Sequence, residues 1–478
     1  MSLGIAFENL LQKVQNSEVT AVVTNSKKTV PGSVFVAISG FKTDGHIYIP
    51  EALASGSRYV VVEKDLGLPN QVLVRNSREA LAKLSHAFYD NPSHKLNLIG
   101  VTGTNGKTST AYMLYHVLKE KAGLFSTVKT MVGESELSQD RTTPEVLEID
   151  DLLCHMLKNG ANYAVMEVSS HSVVLDRVLD LRFVGGIFTN LSQDHLDFHK
   201  TMEAYAKAKQ EFFNMMPAES VAAFNRDDPS VNFMAAKYIG RKIGFGVNNG
   251  EIRATNIEAT ATTIGYDLVV GKKKWEVKLP IGGEFNVYNS LGVLALLHGM
   301  DFDMEEAIRK LETFPGVPGR FEKVDLGQDF AVIVDYAHTP DGLENVLSSA
   351  AKQVRGKGDL TVVFGCGGDR DKTKRPKMGK VVSTWADKII VTSDNPRTED
   401  PNLIIKDILP GIEGKPYLVE ADRKNAIFLA LSEAKPSDMI VIAGKGHEDY
   451  QEINGAKYHF DDREVAREGL IFFGKNQR

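Results

Sequence analysis

Short apolar runs alternate with polar turns and helix-compatible stretches over the first 94 residues of the chain. Four of these runs have the length and the Val-rich composition of buried strands. Two further stretches, 51–55 and 78–89, have the pattern of helices. Strands that alternate with helices predict an α/β domain over residues 1–94. The predicted strands are AVV (21–23), VFVAI (34–38), YVVVE (59–63) and QVLV (71–74).

The segment 95–317 opens with an apolar run at 98–101, a glycine-rich turn and a helical pattern, in immediate succession. A β-rich stretch at 252–270 follows further along, and the adjoining Lys272–Lys274 predicts a solvated turn. A helix rich in Leu and Ala comes after 289. We therefore expect a central domain with a parallel sheet and a small additional β region. Its other predicted strands are AVMEV (164–168), GIFTN (186–190) and VAAFN (221–225).

Residues 318–478 contain four near-continuous apolar runs, each followed by polar or charged residues. Such runs are typical of strands buried on both faces of a parallel sheet. Ligands bind beyond the carboxyl ends of parallel strands, so four polar strand ends predict a ligand site in a Rossmann-like domain. The runs are AVIVD (331–335), TVVFG (361–365), IIVTS (389–393) and MIVIA (439–443).

Two turn-forming clusters separate these segments, Asn91-Pro92-Ser93 and the Pro- and Gly-rich stretch 315–319. Pro and Gly are the strongest local interruptions of regular structure. The expected domains are therefore 1–94, 95–317 and 318–478, with linkers that permit hinge closure on substrate.

The glycine-rich turn has the composition of a phosphate-binding loop. Its glycines let backbone N–H groups approach phosphate oxygens, and the following helix N-terminus favours anions. Lys107 can reach the terminal phosphates, and the Thr108 hydroxyl can hold Mg²⁺. The spacing departs from the common motif, which would place Gly at position 101, where this chain has Val101. Glu167, at the end of a predicted buried strand, is the natural second ligand, because Mg²⁺ prefers oxygen ligands.

Three further features are open to two interpretations on the residues alone. His195 fits either a second metal ion or a turn, and Lys209, on a predicted helix, fits an ordinary surface lysine as well as a functional one. The polar cluster 41–46 can bind a ligand or cap a turn. Gly244 and Gly246 suggest a dinucleotide motif, but the third glycine is misplaced and no helix pattern follows.

The composition narrows the function further. The 478 residues carry a net charge of −6, which disfavours nucleic-acid binding. No apolar run reaches the length of a membrane span, no signal peptide is recognisable, and two cysteines make no disulfide framework. We therefore expect a cytoplasmic protein without membrane insertion.

Eight motifs spread over the central and C-terminal segments together resemble the Mur ligases, and the resemblance includes the GTNGKT form of the phosphate loop. They are GTNGKTS (103–109), EVSSH (167–171), TNLSQDHLDFH (189–199), GEFNVYN (283–289), DYAHTPD (335–341), GCGGDRDKTKRP (365–376), DNPR (394–397) and GKGHEDYQ (444–451).

The resemblance implies an ATP-dependent ligase of peptidoglycan precursor synthesis that works through an acyl phosphate. It implies Mg²⁺ at Thr108 and Glu167, and a lysine, Lys209, that CO₂ converts to a carbamate able to hold a second metal ion beside His195. Lys107 and these four residues form the expected reaction centre. The implied ATP contacts are Gly103, Thr104, Asn105, Gly106, Lys107, Thr108, Ser109, Asn286, Asn289, Arg320, Asp335, Tyr336 and His338.

By the same resemblance, one substrate is UDP-N-acetylmuramoyl-L-Ala-D-Glu. The residues implied to hold it are Ser26, Lys42, Thr43, Asp44, Gly45, His46, Thr142, Thr143, Ser169 and Arg177. Two positions depart from the family pattern. Asn25-Ser26-Lys27 stands where Asp-Ser-Arg is usual, and Lys27 lacks the planar fork of Arg. Leu175 replaces a glutamine that some members use.

The second substrate is expected to be meso-diaminopimelate, which the resemblance assigns to Arg370, Asp394, Asn395, Pro396, Arg397, Gly444 and Glu448. Arg397 can grip the distal carboxylate that L-lysine lacks. If lysine leaves Arg397 unpaired, the cost of about 2–5 kcal/mol predicts strong discrimination. Three alternatives remain: a lysine-adding ligase of the same family, folylpolyglutamate synthase, and a nucleotide-sensing protein without catalysis. A monomer is expected.

Overall fold

A computed structural model describes residues 4–40, 43–137 and 141–476. The N-terminal part is a parallel four-stranded sheet in the order β1-β2-β3-β4, packed against helices. The apolar runs predicted from the sequence form all four strands. The elements are α1 Ile5–Gln15, β1 Val22–Val23, β2 Val34–Val36, α2 Ile49–Ala54, β3 Tyr59–Val62, β4 Gln71–Leu73 and α3 Ser77–Phe88.

The central part is built on an eleven-stranded sheet. Its elements are β5 Asn97–Thr102, α4 Lys107–Leu118, β6 Ala122–Phe125, β7 Thr130–Val132, β8 Ser135–Leu137, α5 Val146–Lys158, β9 Tyr163–Glu167, α6 Ser170–Val174, β10 Phe183–Phe188, α7 Leu196–His199, α8 Met202–Asn214, β11 Val221–Asn225, α9 Val231–Ala235, β12 Arg241–Gly246, β13 Ile252–Ala259, β14 Ile264–Val270, β15 Lys273–Leu279, α10 Phe285–Gly299 and α11 Met304–Leu311.

The strands of this sheet follow the order β15-β14-β13-β12-β11-β10-β5-β9-β6-β7-β8. The core strands, from β12 to β6, are parallel, so their carboxyl ends meet at one edge. The β-rich stretch forms β13 and β14, and β15 extends it antiparallel to β14. The predicted turn at Lys272–Lys274 is wrong for Lys273 and Lys274, which begin β15 with exposed side chains. The turn is shorter because Gly271 supplies the positive φ, 58°, that it needs.

The C-terminal part has a six-stranded sheet in the order β16-β17-β21-β18-β19-β20, parallel except for β16. All four predicted apolar runs are strands here, buried on both faces. The elements are β16 Glu322–Lys323, β17 Ala331–Asp335, α12 Pro340–Val354, β18 Leu360–Phe364, α13 Lys374–Trp385, β19 Lys388–Val391, α14 Pro401–Ile408, β20 Tyr417–Val419, α15 Arg423–Ser432, β21 Met439–Ala443, β22 Tyr450–Ile453, β23 Ala456–His459 and α16 Asp462–Asn476.

The predicted three-part α/β architecture with parallel sheets is confirmed. The domain boundaries at 94 and 317 stay predictions. Within the described residues no helix is both long and apolar enough to span a bilayer.

Candidate functional site

The phosphate loop lies between the end of β5 and the start of α4. Gly106 adopts φ 82°, and a Cβ there would lie 2.3 Å from the Asn289 side-chain oxygen, so only glycine fits. Asn190 fixes the loop from the neighbouring strand end: its carbonyl accepts from Thr104 N at 2.9 Å, and its side-chain oxygen accepts from Asn105 N at 2.9 Å. These contacts leave the start of α4 preformed for an anion.

A buried carboxylate faces this loop from β9. Thr108 Oγ1 donates to Glu167 Oε2 at 3.0 Å, and Thr127 N donates to Glu167 Oε1 at 2.8 Å. Burial raises the pKa of Glu167. A desolvated carboxylate beside a hydroxyl is a fitting ligand pair for a hard divalent cation. The described residues contain no cluster of three or more His, Cys, Asp or Glu side chains that could hold a metal ion, so a cation here needs further oxygens.

Lys209 reaches the same loop from α8. A Cβ at Gly100, in β5, would lie 2.4 Å from the Phe212 ring, so the glycine permits close approach of this helix to the sheet. Lys209, one turn earlier on the helix, is 1% exposed and donates from Nζ to Gly103 O at 2.6 Å. Burial, with the positive charge of Lys107, lowers the pKa of Lys209 well below its ordinary value. A lowered pKa favours the neutral, nucleophilic form of the amine.

Two histidines line the cleft, one from the central part and one from the C-terminal part. His195 precedes α7 with φ 54°, and its Nε2 lies 3.3 Å from Asp194 Oδ2. His338 follows β17, and its Nδ1 lies 2.8 Å from Tyr336 O. Desolvation lowers the pKa of His195 to about 3 and that of His338 to about 4. Both rings are therefore neutral near pH 7 and able to accept or ligate.

The C-terminal sheet contributes a second side to this cavity. The Arg320 guanidinium stacks 4.3 Å from the Tyr336 ring centroid and donates to Thr108 Oγ1 at 3.1 Å. Asp335 accepts from the backbone N–H groups of Phe321 and Ala337, at 2.6 and 2.7 Å. The cavity of about 540 Å³ is thus enclosed by both sheets.

Most of the predicted ATP and metal residues line this cavity. Gly103 and Asn286 are not part of the lining. Asn286 is 3% exposed, and its side-chain oxygen accepts from Asn289 Nδ2 at 2.7 Å, behind the lining. The residues that line it are Thr104, Asn105, Gly106, Lys107, Thr108, Ser109, Glu167, His195, Lys209, Asn289, Arg320, Asp335, Tyr336 and His338.

The residues expected to hold the muramyl peptide are also close together. Thr143 Oγ1 donates to Glu167 O at 2.7 Å and pairs with Ser169 Oγ at 3.2 Å. Arg177 donates to Thr143 O at 3.1 Å and pairs with Glu145 at 2.9 Å. Thr142 Oγ1 accepts from Thr127 Oγ1 at 3.0 Å. This hydroxyl-rich patch adjoins the buried carboxylate.

The expected UDP contacts lie in the N-terminal part, away from both cavities. Ser26 is 5% exposed and donates to Glu51 Oε2 at 2.6 Å. Asp44 caps a 3₁₀ turn that begins at Gly45 and pairs with His46 Nδ1 at 2.6 Å, which lowers the pKa of Asp44 to about 2. Thr43 is exposed. Lys42 lies outside the described residues.

A second cavity, of about 1260 Å³, contains most of the residues expected to hold the amino acid. Glu448 Oε2 accepts from Asn395 Nδ2 at 2.7 Å. Arg397 lies in the lining with φ 53° and donates to Gly368 O at 2.8 Å and to Glu452 Oε2 at 3.2 Å. The lining residues from the prediction are Arg370, Asp394, Asn395, Arg397, Gly444 and Glu448.

The Glu452 contact corrects one premise of the sequence analysis. Arg397 has an ion-pair partner of its own chain, so a substrate without the distal carboxylate does not leave it unpaired. The sequence could not reveal this, because the pair depends on how β22 packs beside the 394–397 turn. The expected discrimination between meso-diaminopimelate and L-lysine is correspondingly smaller.

The two cavities share part of their lining, so they are contiguous. The shared residues come from the central and C-terminal parts and include both histidines; they are Thr127, Thr142, Asp194, His195, Tyr336, His338 and Thr339. A group bound at the phosphate loop and one bound at the 394–397 turn can therefore meet between them.

Sequence reasoning missed three residues of this region. Asp341, at the start of α12, accepts from Ser192 Oγ at 2.9 Å and also bonds Asn105 of the phosphate loop. Tyr288 lines the first cavity and donates to Asp227 at 3.0 Å. Lys445 lies fully buried beneath the second cavity. All three fall inside motifs that the sequence analysis quoted, which is the signal that could have found them.

Three family models cover most of the chain. One described as "Mur ligase family, catalytic domain" matches residues 18–89, "Mur ligase middle domain" matches 101–297, and "Mur ligase, glutamate ligase domain" matches 319–446.

Individual proteins match nearly full length. A UDP-N-acetylmuramoyl-L-alanyl-D-glutamate--2,6-diaminopimelate ligase of Clostridium botulinum is 45% identical, with 98% of this chain and 99% of that protein covered. A solved structure of a ligase with the same name has a TM-score of 0.69 at 31% identity, with 95% of each chain covered. Folylpolyglutamate synthase of Mycobacterium tuberculosis has a TM-score of 0.61 at 18% identity, with 76% of this chain and 91% of that one covered; this is a likeness of fold alone.

Proposed function

The chain belongs to the Mur ligase family, and we propose that it joins meso-2,6-diaminopimelate to UDP-N-acetylmuramoyl-L-alanyl-D-glutamate, with ATP as the energy source, in peptidoglycan precursor synthesis. The observation that carries the proposal is the contiguity of the two cavities. A carboxylate activated at the phosphate loop and an amine bound near Arg397 would meet where the linings join. Proximity of this kind supplies much of the rate in a two-substrate reaction.

The reaction requires two anions to approach each other. The γ-carboxylate of the D-glutamyl residue attacks the γ-phosphorus of ATP, which gives an acyl phosphate and ADP. The amine of the amino acid then attacks the acyl carbon, and phosphate leaves with the C–O bond electrons. Lys107 and Arg320 would offset the negative charge in the first step, as preorganised cations do in phosphoryl transfer. The neutral rings of His195 and His338 line both cavities at their junction.

Mg²⁺ would be held by Thr108 and Glu167, whose hydroxyl and desolvated carboxylate fit it. When bound, it would supply charge neutralisation at the phosphates. We further propose that Lys209 is carbamylated by CO₂. Its burial and lowered pKa support this, since the neutral amine is the form that reacts. The carbamate would place an anionic oxygen ligand near His195.

The substrate contacts belong to the same proposal. Thr142, Thr143, Ser169 and Arg177 would hold the peptide portion beside Glu167, and Ser26 with the 42–46 segment would hold the UDP portion. In the second cavity Arg397 would grip the distal carboxylate and Arg370 would help to hold the substrate, while Gly444 and Glu448 would meet the distal ammonium. Asp394, Asn395 and Pro396 complete the proposed amino-acid contacts. The remaining ATP contacts would be those of the phosphate loop, Asn289, Asp335 and Tyr336. We also propose a cytoplasmic location, since ATP and UDP-linked precursors are cytoplasmic compounds. A monomeric state completes the proposal.

Phosphate release with ATP and a panel of amino acids tests the function. We expect release only when the UDP-dipeptide and meso-diaminopimelate are both present, with L-lysine and D-alanyl-D-alanine as comparison amines. Equal turnover of L-lysine would overturn the amino-acid assignment and favour the lysine-adding alternative. ATP binding without any release would favour the nucleotide-sensing alternative.

A further inference from the structure

We infer that Lys445 is a positioning residue of the amino-acid cavity. It orients the Glu448 carboxylate and supplies positive charge at the end of the cavity where the distal ammonium of the substrate would bind. The inference rests on the proposed function and extends it to a residue outside the lining of the cavity. Lys445 follows β21 between two glycines of positive φ, Gly444 and Gly446. Its side chain has no exposed surface and lies behind Asp394, Asn395 and Glu448, which line the cavity.

The side-chain ammonium of Lys445 bonds to residues that form the wall of the cavity. Nζ donates to Asn395 Oδ1 at 3.2 Å and to Glu448 Oε2 at 3.4 Å, and it also donates to the carbonyl of Tyr450. A buried lysine needs such partners, because an unpaired buried ammonium is costly. The residue therefore cross-links the 394–397 turn with the segment that follows β21.

These contacts decide the orientation of the Asn395 amide. Its oxygen accepts from Lys445 Nζ and from Glu452 N at 2.9 Å, so the amide nitrogen must point the other way. That nitrogen donates to Glu448 Oε2 at 2.7 Å. With Oε2 held by two donors from behind, the other oxygen of Glu448 is left for the cavity. Lys445 thus orients the Glu448 carboxylate directly and also through Asn395.

Lys445 also supplies positive charge where two carboxylates are close. Although burial opposes ionisation, Lys445 and Arg423 hold the pKa of Asp394 below its ordinary value. Burial and the Asp394 charge raise the pKa of Glu448, and Lys445 opposes that rise. The titratable and charged groups facing Glu448 are Asp394, Arg423, Lys445, Tyr336 and Tyr450.

Loss of the Lys445 charge would therefore leave Glu448 protonated at a higher pH than in the intact protein. A neutral carboxyl group pairs poorly with the distal ammonium of a diamino acid. The effect would fall on binding of the amino acid, since the ATP cavity does not include Lys445 or Glu448 in its lining.

Steady-state kinetics of Lys445→Met and Lys445→Gln test the role, the second variant keeping a hydrogen-bond donor without the charge. We expect the KM for meso-diaminopimelate to rise about tenfold or more near pH 7, as for the loss of one charge-assisted contact. The KM values for ATP and the UDP-dipeptide should change less than about twofold. The acidic limb of kcat/KM for the amino acid should move to higher pH, because the pKa of Glu448 rises.

Three controls make the result decisive. Lys424→Met removes an exposed lysine of α15 and should leave every parameter unchanged. The Glu448→Gln variant should lose the part of the acidic limb of kcat/KM that is due to titration of Glu448. The double variant Glu448→Gln/Lys445→Met should then show no further shift of the limb. If Lys445→Met does not fold, Lys445→Gln gives the same measurement.

An acidic limb that stays in place, or equal damage to all three KM values, would overturn the positioning role and leave a merely structural lysine. Wild-type protein that releases no phosphate with meso-diaminopimelate would overturn the proposed function and this inference with it. Normal wild-type turnover with an unmoved limb in the variants would overturn this inference alone.

Discussion

Two fully buried lysines, Lys209 and Lys445, lie in opposite chemical settings. Lys209 Nζ meets a backbone carbonyl and lies 4.5 Å from the centroid of the Tyr205 ring. Lys445 meets a carboxylate of its own loop, Glu448. A buried ammonium is stable only with compensating partners. The same residue type is thus suited to covalent modification in one place and to ion pairing in the other.

Replacement of Lys209 by alanine should abolish most ligase activity. Short-chain carboxylates should restore part of it, because they can occupy the vacated space as an anionic oxygen ligand. The measurement is phosphate release with and without added acetate or propionate. Carbon-13 NMR of protein equilibrated with labelled bicarbonate should show a carbamate that the variant lacks. Lys207→Ala, an exposed neighbour on the same helix, should behave as wild type. Full activity of Lys209→Ala without an additive would refute the assignment.

Replacement of Arg397 by alanine should remove most of the preference for meso-diaminopimelate over L-lysine. Glu452 pairs with the Arg397 guanidinium whichever amine is bound. Only the contact with the distal carboxylate of meso-diaminopimelate therefore distinguishes this substrate from L-lysine. A hydrogen bond to a charged group contributes about 1.5–3 kcal/mol, or roughly 10- to 150-fold in kcat/KM. Competition between the two amines measures the ratio directly. An unchanged ratio in the variant would show that another residue selects the substrate.

Among the elements, the starts of α15 and α16 are tied to two strand ends by one buried ion pair. Arg423 donates from Nε and Nη2 to the two oxygens of Asp462, both at 2.7 Å. It also donates to Ala443 O at 3.0 Å, at the end of β21, and to Ser393 O at 3.3 Å, just past β19. The strand ends that carry the amino-acid cavity are therefore held by two helices from behind.

Replacement of Arg423 by methionine should destabilise the C-terminal part by about 3–5 kcal/mol, because Asp462 is left as an uncompensated buried charge. The double variant Arg423→Met/Asp462→Leu should regain much of that loss, since both charges are gone. Urea denaturation of the three proteins measures the difference. A single variant as stable as wild type would show that water or another cation already compensates Asp462.

At the scale of the whole molecule, the N-terminal and central parts are joined by a polar contact between helices. His86, in α3, has Nδ1 2.7 Å from Asp150 Oδ2, in α5, and Nε2 2.8 Å from Leu179 O. Both neighbours are acceptors, so the ring fits best when both nitrogens carry protons. Pro92 and Ser93, in the predicted linker, are buried beside this contact.

The stability conferred by this contact should depend on pH. Although burial opposes protonation, Asp150 raises the pKa of His86 above its ordinary value of 6.5. The contribution is therefore complete below about pH 6.5 and is lost as the pH rises through the higher folded-state value. The difference in Tm between wild type and His86→Gln should be larger at about pH 6 than at about pH 9. A difference independent of pH would mean that the ring is neutral in the folded protein.

The sequence alone determined the features that depend on neighbouring residues. The phosphate loop, the apolar strands and the polar groups at their carboxyl ends are local patterns, and parallel strands bring such ends to one edge whatever the detailed packing. The order of the motifs was enough to indicate the family. The residues from Thr104 to Ser109 accordingly line the cavity as expected.

Only the tertiary structure decided which distant side chains meet. The pairing of Arg397 with Glu452, the position of Lys445 behind Asn395 and the contact of His86 with Asp150 join residues from different elements. No periodicity or spacing encodes such pairs, because burial and orientation depend on how whole sheets and helices pack. The charge state of each buried group follows from that packing, so the chemistry of the site is a property of the folded chain.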